Sequence, residues 1–174
     1  MLAALLILLP IAMNQSSIIG KQSELKVDAA LTCDNLTITS VTASGSYRSN
    51  IPENTLDNNL NTKWSNSALG SWIKYDIGQE KIVCHVDIAW FKGNQRSYNF
   101  VISASSDGTT FTDIYTGKSG KNTALQRYDI PDSKARYLKI TVNGNSANSW
   151  AEITEVDIYG YIPDITPPTL MITR

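Results

Sequence analysis

Short runs of alternating apolar and polar residues, separated by turn residues, recur along most of this chain. In the run 82–90, apolar residues occupy the even positions, and His85 and Asp87 fall between them. Comparable runs lie at 36–43, 72–78, 98–105, 111–115, 124–130, 137–142 and 155–160. A period of two is typical of half-buried β-strands, and no stretch has helical periodicity beyond a turn or so. The sequence therefore predicts an all-β fold, an antiparallel sandwich of about eight strands.

The last of these runs contains a change of phase. Val156 and Ile158 share one face of a strand, whereas Ile153 is apolar on the opposite parity. A β-bulge between Ile153 and Val156 is the simplest way to bring all three inward. Such a bulge would re-aim the Glu155 carboxylate inward, where it needs a cation or hydrogen-bond donors.

A polar stretch at 54–64 is too hydrophilic for a core strand and ends on Trp64. Asp57, Asn59 and Thr62 all offer oxygen atoms, and a hard cation such as Ca²⁺ takes six to eight oxygen ligands. With Glu155 as a distant partner, the stretch is a candidate calcium loop. The alternative is a solvated turn, because Asn and Asp readily stabilise turns by themselves.

The composition of the chain restricts both its classes of binding partner and the kinds of metal site it can form. The chain has 174 residues, enough for one ordinary domain with extensions, and its net charge of -1 gives no general attraction to nucleic acid or membranes. One histidine and two cysteines make a zinc site built from these residues improbable.

The two ends of the chain differ from its middle. Residues 2–13 form an apolar run too short to span a bilayer but as long as a signal-peptide core, so residues 1–20 are predicted to be a signal-peptide-like segment. No basic residue precedes this run, and a buried helix is the alternative. Residues 21–32 are predicted as an N-terminal extension, and the proline-rich 162–174 as a linker to a following domain.

Export would place the two cysteines in an oxidising environment. A disulfide between Cys33 and Cys84 is then expected, joining the segment that enters the domain to a central strand. The alternative is that Cys84 is a small buried hydrophobic residue.

Several motifs in order resemble the discoidin family, also called coagulation factor V/VIII type C domains. They are Asp57-x-Asn59-x-x-Thr62-x-Trp64, Trp72-Ile-x-Tyr-Asp76-x-Gly78, Ser105-Ser-Asp107-Gly108, Ala135-Arg136-Tyr137 and Glu155-Val-x-Ile-Tyr-Gly160. Two further stretches, 88–96 and 143–150, look like family 32 carbohydrate-binding modules of the alginate-lyase type. The resemblance covers about residues 33–161.

The resemblance implies a jelly-roll β-sandwich of the galactose-binding-domain type with a structural Ca²⁺. Carried over to this chain, the ligands would be the Asp57 and Glu155 carboxylates, the Asn59 carbonyl and the Thr62 hydroxyl and carbonyl. A carbonyl near Asn54 would join them. The chain departs from the family at Asn58, where glycine is common, although Asn tolerates a left-handed backbone.

The ligand is expected at loops 44–56, 92–97, 117–123 and 143–149, which would emerge at one end of an up-and-down sandwich. These loops are rich in basic and amide side chains, which suits an acidic or hydroxyl-rich glycan. The candidate ligand-binding residues are Tyr47, Arg48, Lys92, Asn94, Gln95, Arg96, Asn145, Asn148 and Trp150, with Arg96 and Asn94 foremost. The alternative is that these polar loops are simply solvated.

The predicted function is a non-catalytic carbohydrate-binding module of a secreted or cell-surface protein, with further domains on the same chain. Its ligand would be a polysaccharide, with uronic-acid polymers favoured. The alternative is an adhesion domain for a protein or membrane partner, but the loops lack a cluster of apolar residues that could insert into a membrane. An enzyme is disfavoured because the one histidine, His85, lies within a strand without a nucleophile motif.

Overall fold

The computed structural model describes residues 32–163, which form an all-β domain with a single 3-10 turn at Pro52–Thr55. The strands are β1 (Asp34–Asn35), β2 (Ser40–Ala43), β3 (Trp64–Asn66), β4 (Ser71–Trp90), β5 (Tyr98–Ser105), β6 (Thr112–Lys118), β7 (Gln126–Asn145) and β8 (Ala151–Tyr161). Among the described residues, no helix is long and apolar enough to cross a membrane.

The strands form one continuous antiparallel sheet in the order β1-β8-β4-β7-β5-β6, with β2 on β4 and β3 on β8. The long strands β4 and β7 change partners along their length. Residues 73–76 of β4 pair with β2, and residues 71–76 pair with 137–142 of β7, whereas 82–88 pair with β8 and with 126–134 of β7. Register shifts separate the two halves, so the sheet folds over on itself into the predicted jelly-roll sandwich.

Both halves of β4 contribute side chains to one hydrophobic core. Ile73 and Tyr75 alternate inward from the first half, and Val86 and Ile88 from the second half, each at most 1% exposed. Trp90 lies against Tyr98 and Phe100, with ring centroids 4.8 and 5.0 Å away. Fully burying side chains of this kind contributes roughly 1.5–3 kcal/mol each, so this core is the main source of the domain's stability.

The strand boundaries differ from those predicted. The runs 72–78 and 82–90 are two halves of β4, and 124–130 and 137–142 belong largely to β7, because their turn residues fall at register shifts within the strands. The short strands β1 and β3 were not predicted. Trp72 is half-buried on the outer face, because its neighbour Ile73 occupies the inward position.

The change of phase in β8 is confirmed. Ala89 pairs with Glu155, but the next residue, Trp90, pairs with Ile153, so β8 carries one extra residue, Thr154. The bulge lets Ile153, Val156 and Ile158 all pack in the core, and it leaves the Glu155 side chain buried. The change of phase in the sequence thus places the Glu155 carboxylate in the interior of the domain.

The predicted disulfide is also confirmed, since Cys33 and Cys84 are bonded, with their Cα atoms 6.5 Å apart. The bond ties the residue before β1 to the middle of β4 across a sequence separation of 51 residues. Next to the disulfide, the buried His85 ring stacks on the Tyr159 ring, with the two ring centroids 4.3 Å apart.

Reduction of this disulfide is expected to lower the free energy of unfolding by roughly 2–4 kcal/mol, because the bond restricts a long loop in the unfolded chain. Urea unfolding with and without a phosphine reductant measures the change. The double variant Cys33→Ala/Cys84→Ala should match the reduced protein and be indifferent to reductant. Equal unfolding midpoints for oxidised and reduced protein would contradict the expectation.

The predicted signal-peptide-like segment 1–20, nearly all of the extension 21–32 and most of the linker 162–174 lie outside the described residues.

Candidate functional site

A cleft of about 250 Å³ lies where the loop after β2, the turn after β4 and the loop before β8 meet β3 and β8. It is lined by Tyr47, Asn50, Lys63, Ser65, Arg96, Asn148, Trp150 and Glu152. Three of the four loops predicted to be neighbours therefore contribute to one site. The fourth, 117–123, packs against the turn at Gly93 through the Asn122 carbonyl but does not line the cleft.

Charged groups form the base of the cleft. The Glu152 carboxylate, 6% exposed, accepts hydrogen bonds from Lys63 Nζ and Arg96 Nη1, and Tyr98 Oη lies 3.4 Å from it. The Lys63 and Arg96 side chains keep 18% and 20% of their surface open. Two cations against one carboxylate leave the cleft with one net positive charge, held on side chains that a ligand can reach.

Strand pairing explains how these groups meet. Trp64 is fully buried opposite Ile153, so its neighbours Lys63 and Ser65 point the other way, and Ser65 pairs with Glu152. The Trp64 indole donates to the Gly45 carbonyl at 2.9 Å, which anchors the loop that carries Tyr47. Lys63 Nζ also lies 3.4 Å from the Phe91 ring centroid.

An aromatic wall borders the charged base. Tyr47 and Trp150 meet edge to face with centroids 5.0 Å apart, and Tyr47 is 41% exposed. The Arg48 guanidinium lies 5.0 Å from the Tyr47 centroid and is solvent-exposed outside the cleft lining. The wall offers an apolar surface on which a sugar ring can pack.

Asn145 holds the loop before β8 together. Its Oδ1 accepts from the backbone of Ala147 and Asn148, and its Nδ2 donates to Asn148 Oδ1 at 2.7 Å and to the Trp150 carbonyl at 3.0 Å. The side-chain amide of this predicted ligand residue is therefore engaged within its own loop. It positions Asn148 and Trp150, which do line the cleft.

Of the four candidate residues on the turn after β4, only one lines the cleft. Arg96 reaches into the cleft, whereas Lys92, Asn94 and Gln95 are exposed on the turn and do not line it. Backbone hydrogen bonds from Gln95 and Arg96 to the Lys92 carbonyl close the turn at 2.8 and 3.0 Å. Of the nine candidate residues, Tyr47, Arg96, Asn148 and Trp150 line the cleft.

Four lining residues were missed by the sequence reasoning: Asn50, Lys63, Ser65 and Glu152. The pairing of β3 with β8 brings Lys63, Ser65 and Glu152 to the cleft. A strand of three residues is too short for its sequence to predict such a pairing. One signal was present in the sequence, because Lys63 and Ser65 flank Trp64, a large apolar residue of a type that is mostly buried, so its neighbours in a strand face the opposite way.

The Asp57 loop and Glu155 come together as predicted. Asn59 N donates to Glu155 Oε1 at 2.9 Å and to Asp57 Oδ1 at 3.0 Å. Thr62 Oγ1 lies 2.7 Å from Asp57 Oδ2 and 2.8 Å from the Asn59 carbonyl. Asn58, the position that departs from the family pattern, has a φ of 56° and so adopts the left-handed conformation that glycine otherwise supplies.

The oxygen atoms in this loop outnumber its donors. Thr62 Oγ1 has three acceptors within 3.5 Å, namely the Asn54 and Asn59 carbonyls and Asp57 Oδ2, but it carries a single hydrogen. The Asn54 side chain, by contrast, donates to the Ser49 and Lys63 carbonyls and so braces the loop from outside. Two carboxylates, two carbonyls and a hydroxyl converging in this way fit a hard cation such as Ca²⁺.

The electrostatics agree with that donor set. Burial, reinforced by the nearby negative charges of Asp57 and Asp157, raises the pKa of Glu155 to about 7. The hydrogen bond from Thr62 lowers the pKa of Asp57 below its usual value. In the absence of a cation, the two carboxylates are thus most easily accommodated with one proton between them.

We expect metal-free protein to lose stability between pH 4.5 and 7. The Glu155 pKa is higher in the folded than in the unfolded state, so its contribution is fully present below pH 4.5 and is lost as pH rises through 7. The loss in the free energy of unfolding is about 3 kcal/mol. Urea unfolding in chelator at several pH values measures it.

Burial lowers the pKa of His85, so the contribution of His85 to stability increases as the pH rises, opposite to that of Glu155. The Glu155 contribution is therefore measured by comparing wild type with a variant. Glu155→Gln should remove the Glu155 contribution and leave the rest of the pH profile unchanged. Parallel profiles for the two proteins would show that Glu155 does not titrate in this range.

Comparison with known proteins identifies the fold's relatives. The sequence model of the F5/8 type C domain matches residues 37–156. A structure of the CBM32 of AlyQ in complex with 4,5-unsaturated mannuronic acid is 44% identical, with a TM-score of 0.70, and the match covers 72% of this chain and 97% of that one. No curated protein sequence matches this chain.

Two further structures extend the comparison. Truncated AlyQ with CBM32 and alginate lyase domains is 40% identical, with a TM-score of 0.73 over 79% of this chain and 36% of that one, so this chain spans about a third of that protein. A pectin-binding carbohydrate-binding module is 26% identical, with a TM-score of 0.68 over 71% of this chain and 91% of that one. The chain therefore belongs to the F5/8 type C, or discoidin-like, domain family and has the fold of its family 32 carbohydrate-binding modules.

Proposed function

We propose that this domain is a carbohydrate-binding module whose cleft binds a uronic acid residue of an acidic polysaccharide. The observation that carries the proposal is the single net positive charge of the cleft, presented on Lys63 and Arg96 beside an aromatic wall. A uronic acid offers one carboxylate, several hydroxyls and a ring face, and the cleft has a complementary group for each.

Each lining residue has a role in this proposal. Arg96 engages Glu152 through Nη1, which leaves the remaining guanidinium N–H groups for a ligand carboxylate, with Lys63 supplying the second charge. The side-chain amides of Asn50 and Asn148 form hydrogen bonds with sugar hydroxyls. Trp150 and Tyr47 pack against the sugar ring.

The relatives support an acidic ligand. The CBM32 of AlyQ was solved with an unsaturated mannuronic acid, and the 26% identical module is described as pectin-binding. We infer a non-catalytic role, since family 32 modules bind carbohydrate and leave catalysis to other domains, such as the alginate lyase domain of AlyQ. We also propose that the present domain serves further domains of its own chain.

A small cleft of this kind is expected to bind a single sugar weakly, with a Kd of about 1 μM to 1 mM. Useful retention on a polysaccharide then comes from several sites acting together or from linkage to a partner domain.

We propose that Ca²⁺ binds in the Asp57 loop, with ligands from Asn54, Asp57, Asn59, Thr62 and Glu155. The ion supplies positive charge that offsets the two carboxylates, while the protein supplies a preshaped loop. Its role is structural, because Thr62 and Asn54 sit in the segment that leads into β3 and so to Lys63 in the cleft. The Cys33–Cys84 disulfide supports an exported protein.

Binding of purified domain to immobilised polymannuronate, polygalacturonate and a neutral glucan, at low and high salt, tests the proposed function. We expect retention on the two polyuronates that weakens with salt, and none on the glucan. Equal retention on all three polymers would show that the domain does not recognise the ligand carboxylate. Failure to bind any glycan, together with binding to anionic liposomes, would instead favour adhesion to membranes.

A further inference from the structure

Glu152 is the one acidic residue among those that line the cleft, and each of its carboxylate oxygens has a cation as partner. Lys63 Nζ contacts Oε1, and Arg96 Nη1 contacts Oε2. The Tyr98 hydroxyl lies 3.4 Å from Oε2, but its single hydrogen has a closer acceptor in the Phe91 carbonyl at 2.6 Å. The negative charge of Glu152 is therefore balanced by the same two cations that a ligand in the cleft would contact.

The backbone fixes the position of this carboxylate from two sides. Glu152 pairs with Ser65 of β3, and its carbonyl accepts a hydrogen bond from Phe91 N at 3.3 Å, just after β4. The Glu152 side chain is buried, whereas Lys63 and Arg96 keep part of their surface open. An anion that reaches the open parts of the two cations therefore meets a site in which their buried partner is already in place.

The charge of the cleft is set by these three side chains. Arg48, Lys92 and Glu53 belong to the neighbouring loops, but they are exposed and do not line the cleft. Charges that face bulk water are screened much more strongly than charges in a partly enclosed site. Two cations and one carboxylate thus give the cleft a charge of +1.

This charge decides which sugar substituents the cleft favours. One ligand carboxylate brings the total charge to zero, with two cations and two carboxylates in one network. A neutral sugar leaves one positive charge without a partner. A doubly charged group leaves an excess negative charge next to the Glu152 carboxylate, and like charges brought together at a binding site are strongly unfavourable.

We propose that Glu152 is a specificity-determining residue, which restricts the cleft to sugar units with a single negative charge. The inference rests on the proposed function, and it adds a selection against more highly charged sugars such as phosphorylated ones. Glu152 competes with the ligand for the same two cations, so it weakens the binding of anions in general. Its repulsion is greatest for a dianion, which is how one residue discriminates between two classes of acidic ligand.

The test uses three ligands that differ only at C6 of the sugar: methyl mannoside, methyl mannuronoside and methyl mannoside 6-phosphate. At about pH 8 they carry no charge, one negative charge and close to two negative charges. NMR titrations give a Kd for each ligand, and thermal melts check that each variant is folded. The matched control is Glu53→Gln, which removes the same charge from an exposed position near the cleft.

Three variants change the charge of the cleft in steps. Glu152→Gln raises it by one unit, Lys63→Gln lowers it to zero, and Lys63→Gln/Glu152→Gln returns it to the wild-type value. Together with wild type they form a double-mutant cycle. The cycle separates the effect of the charge from the effect of losing either side chain.

We expect wild type and Glu53→Gln to bind the mannuronoside at least about tenfold more tightly than the phosphate. Glu152→Gln should abolish or reverse that preference. The double variant should restore it, with weaker binding overall. Lys63→Gln, which keeps Glu152, should bind the mannuronoside no better than the neutral mannoside.

Several results would overturn the role of Glu152 and leave the cleft as a uronate site. Wild type that binds the phosphate as tightly as the mannuronoside is one, and it is informative even if no Glu152 variant folds. Lys63→Gln that still prefers the mannuronoside over the neutral mannoside is another. A folded Glu152→Gln protein with the wild-type ratio of the two dissociation constants is a third. Failure of wild type to bind the mannuronoside at all would instead overturn the proposed function, and this inference with it.

Discussion

Saturating Ca²⁺ is expected to raise the melting temperature of this domain by roughly 5–10 °C over the chelated protein. Binding to the folded state alone at one hundred times the dissociation constant contributes about 2.7 kcal/mol. For a domain of this size, each kcal/mol shifts the midpoint by a few degrees. The physical reason is the excess of oxygen atoms around Thr62 and the buried Glu155 carboxylate beside Asp57. Differential scanning calorimetry in Ca²⁺ and in chelator measures the shift.

Glu155→Gln should abolish that shift, because an amide replaces the buried charged ligand. In chelator the variant should melt no lower than wild type, since it also removes a desolvated carboxylate that faces Asp57. The matched control is Glu53→Gln, which changes an exposed carboxylate on the neighbouring 3-10 turn and should keep the full response to Ca²⁺. A Glu155→Gln protein that is still stabilised as strongly as wild type would show that the ion sits elsewhere.

The parts of the fold that were predictable are those encoded in local alternation. The inward positions of β4 and the bulge in β8 are set by which residues are apolar, and the phase change between Ile153 and Val156 correctly predicted that the Glu155 side chain is buried. The pairings β3–β8 and β1–β8 were not predictable, because strands of three and two residues have no pattern of their own. They form because neighbouring structure, including buried Trp64, holds them against β8.

The same distinction explains the candidate site. Loops 44–56, 92–97 and 143–149 were expected to meet, and they do, because the start of β8 lies between β3 and the end of β4, where Ile153 pairs with both Trp64 and Trp90. Which side chains enter the cleft depends on turn geometry: Arg96 enters, while Asn94 in the same turn remains exposed. Glu152 was not among the candidate residues, yet its buried carboxylate pairs with both Lys63 and Arg96. Composition cannot reveal such a group, since its role depends on what surrounds it.

Arg96→Gln is expected to weaken binding of a uronate trisaccharide about 10- to 100-fold, because hydrogen bonds to charged groups contribute about 1.5–3 kcal/mol each. The matched control is Lys92→Gln, which removes the same charge from the exposed part of the same turn and should leave binding nearly unchanged. Arg96→Lys should fall between them, since it keeps the charge but loses the planar donor geometry. Titration calorimetry measures all three.

Stability must be followed in parallel, because Arg96 pairs with a buried carboxylate. Its removal leaves Glu152 with Lys63 alone, and breaking a buried pair is destabilising. The titrations are therefore made well below the melting temperature of the variant, where the domain stays folded. If folded Arg96→Gln binds as tightly as wild type while Lys92→Gln does not, the ligand engages the exposed turn residues, and the cleft formed by Lys63, Arg96 and Glu152 is a structural ion-pair network.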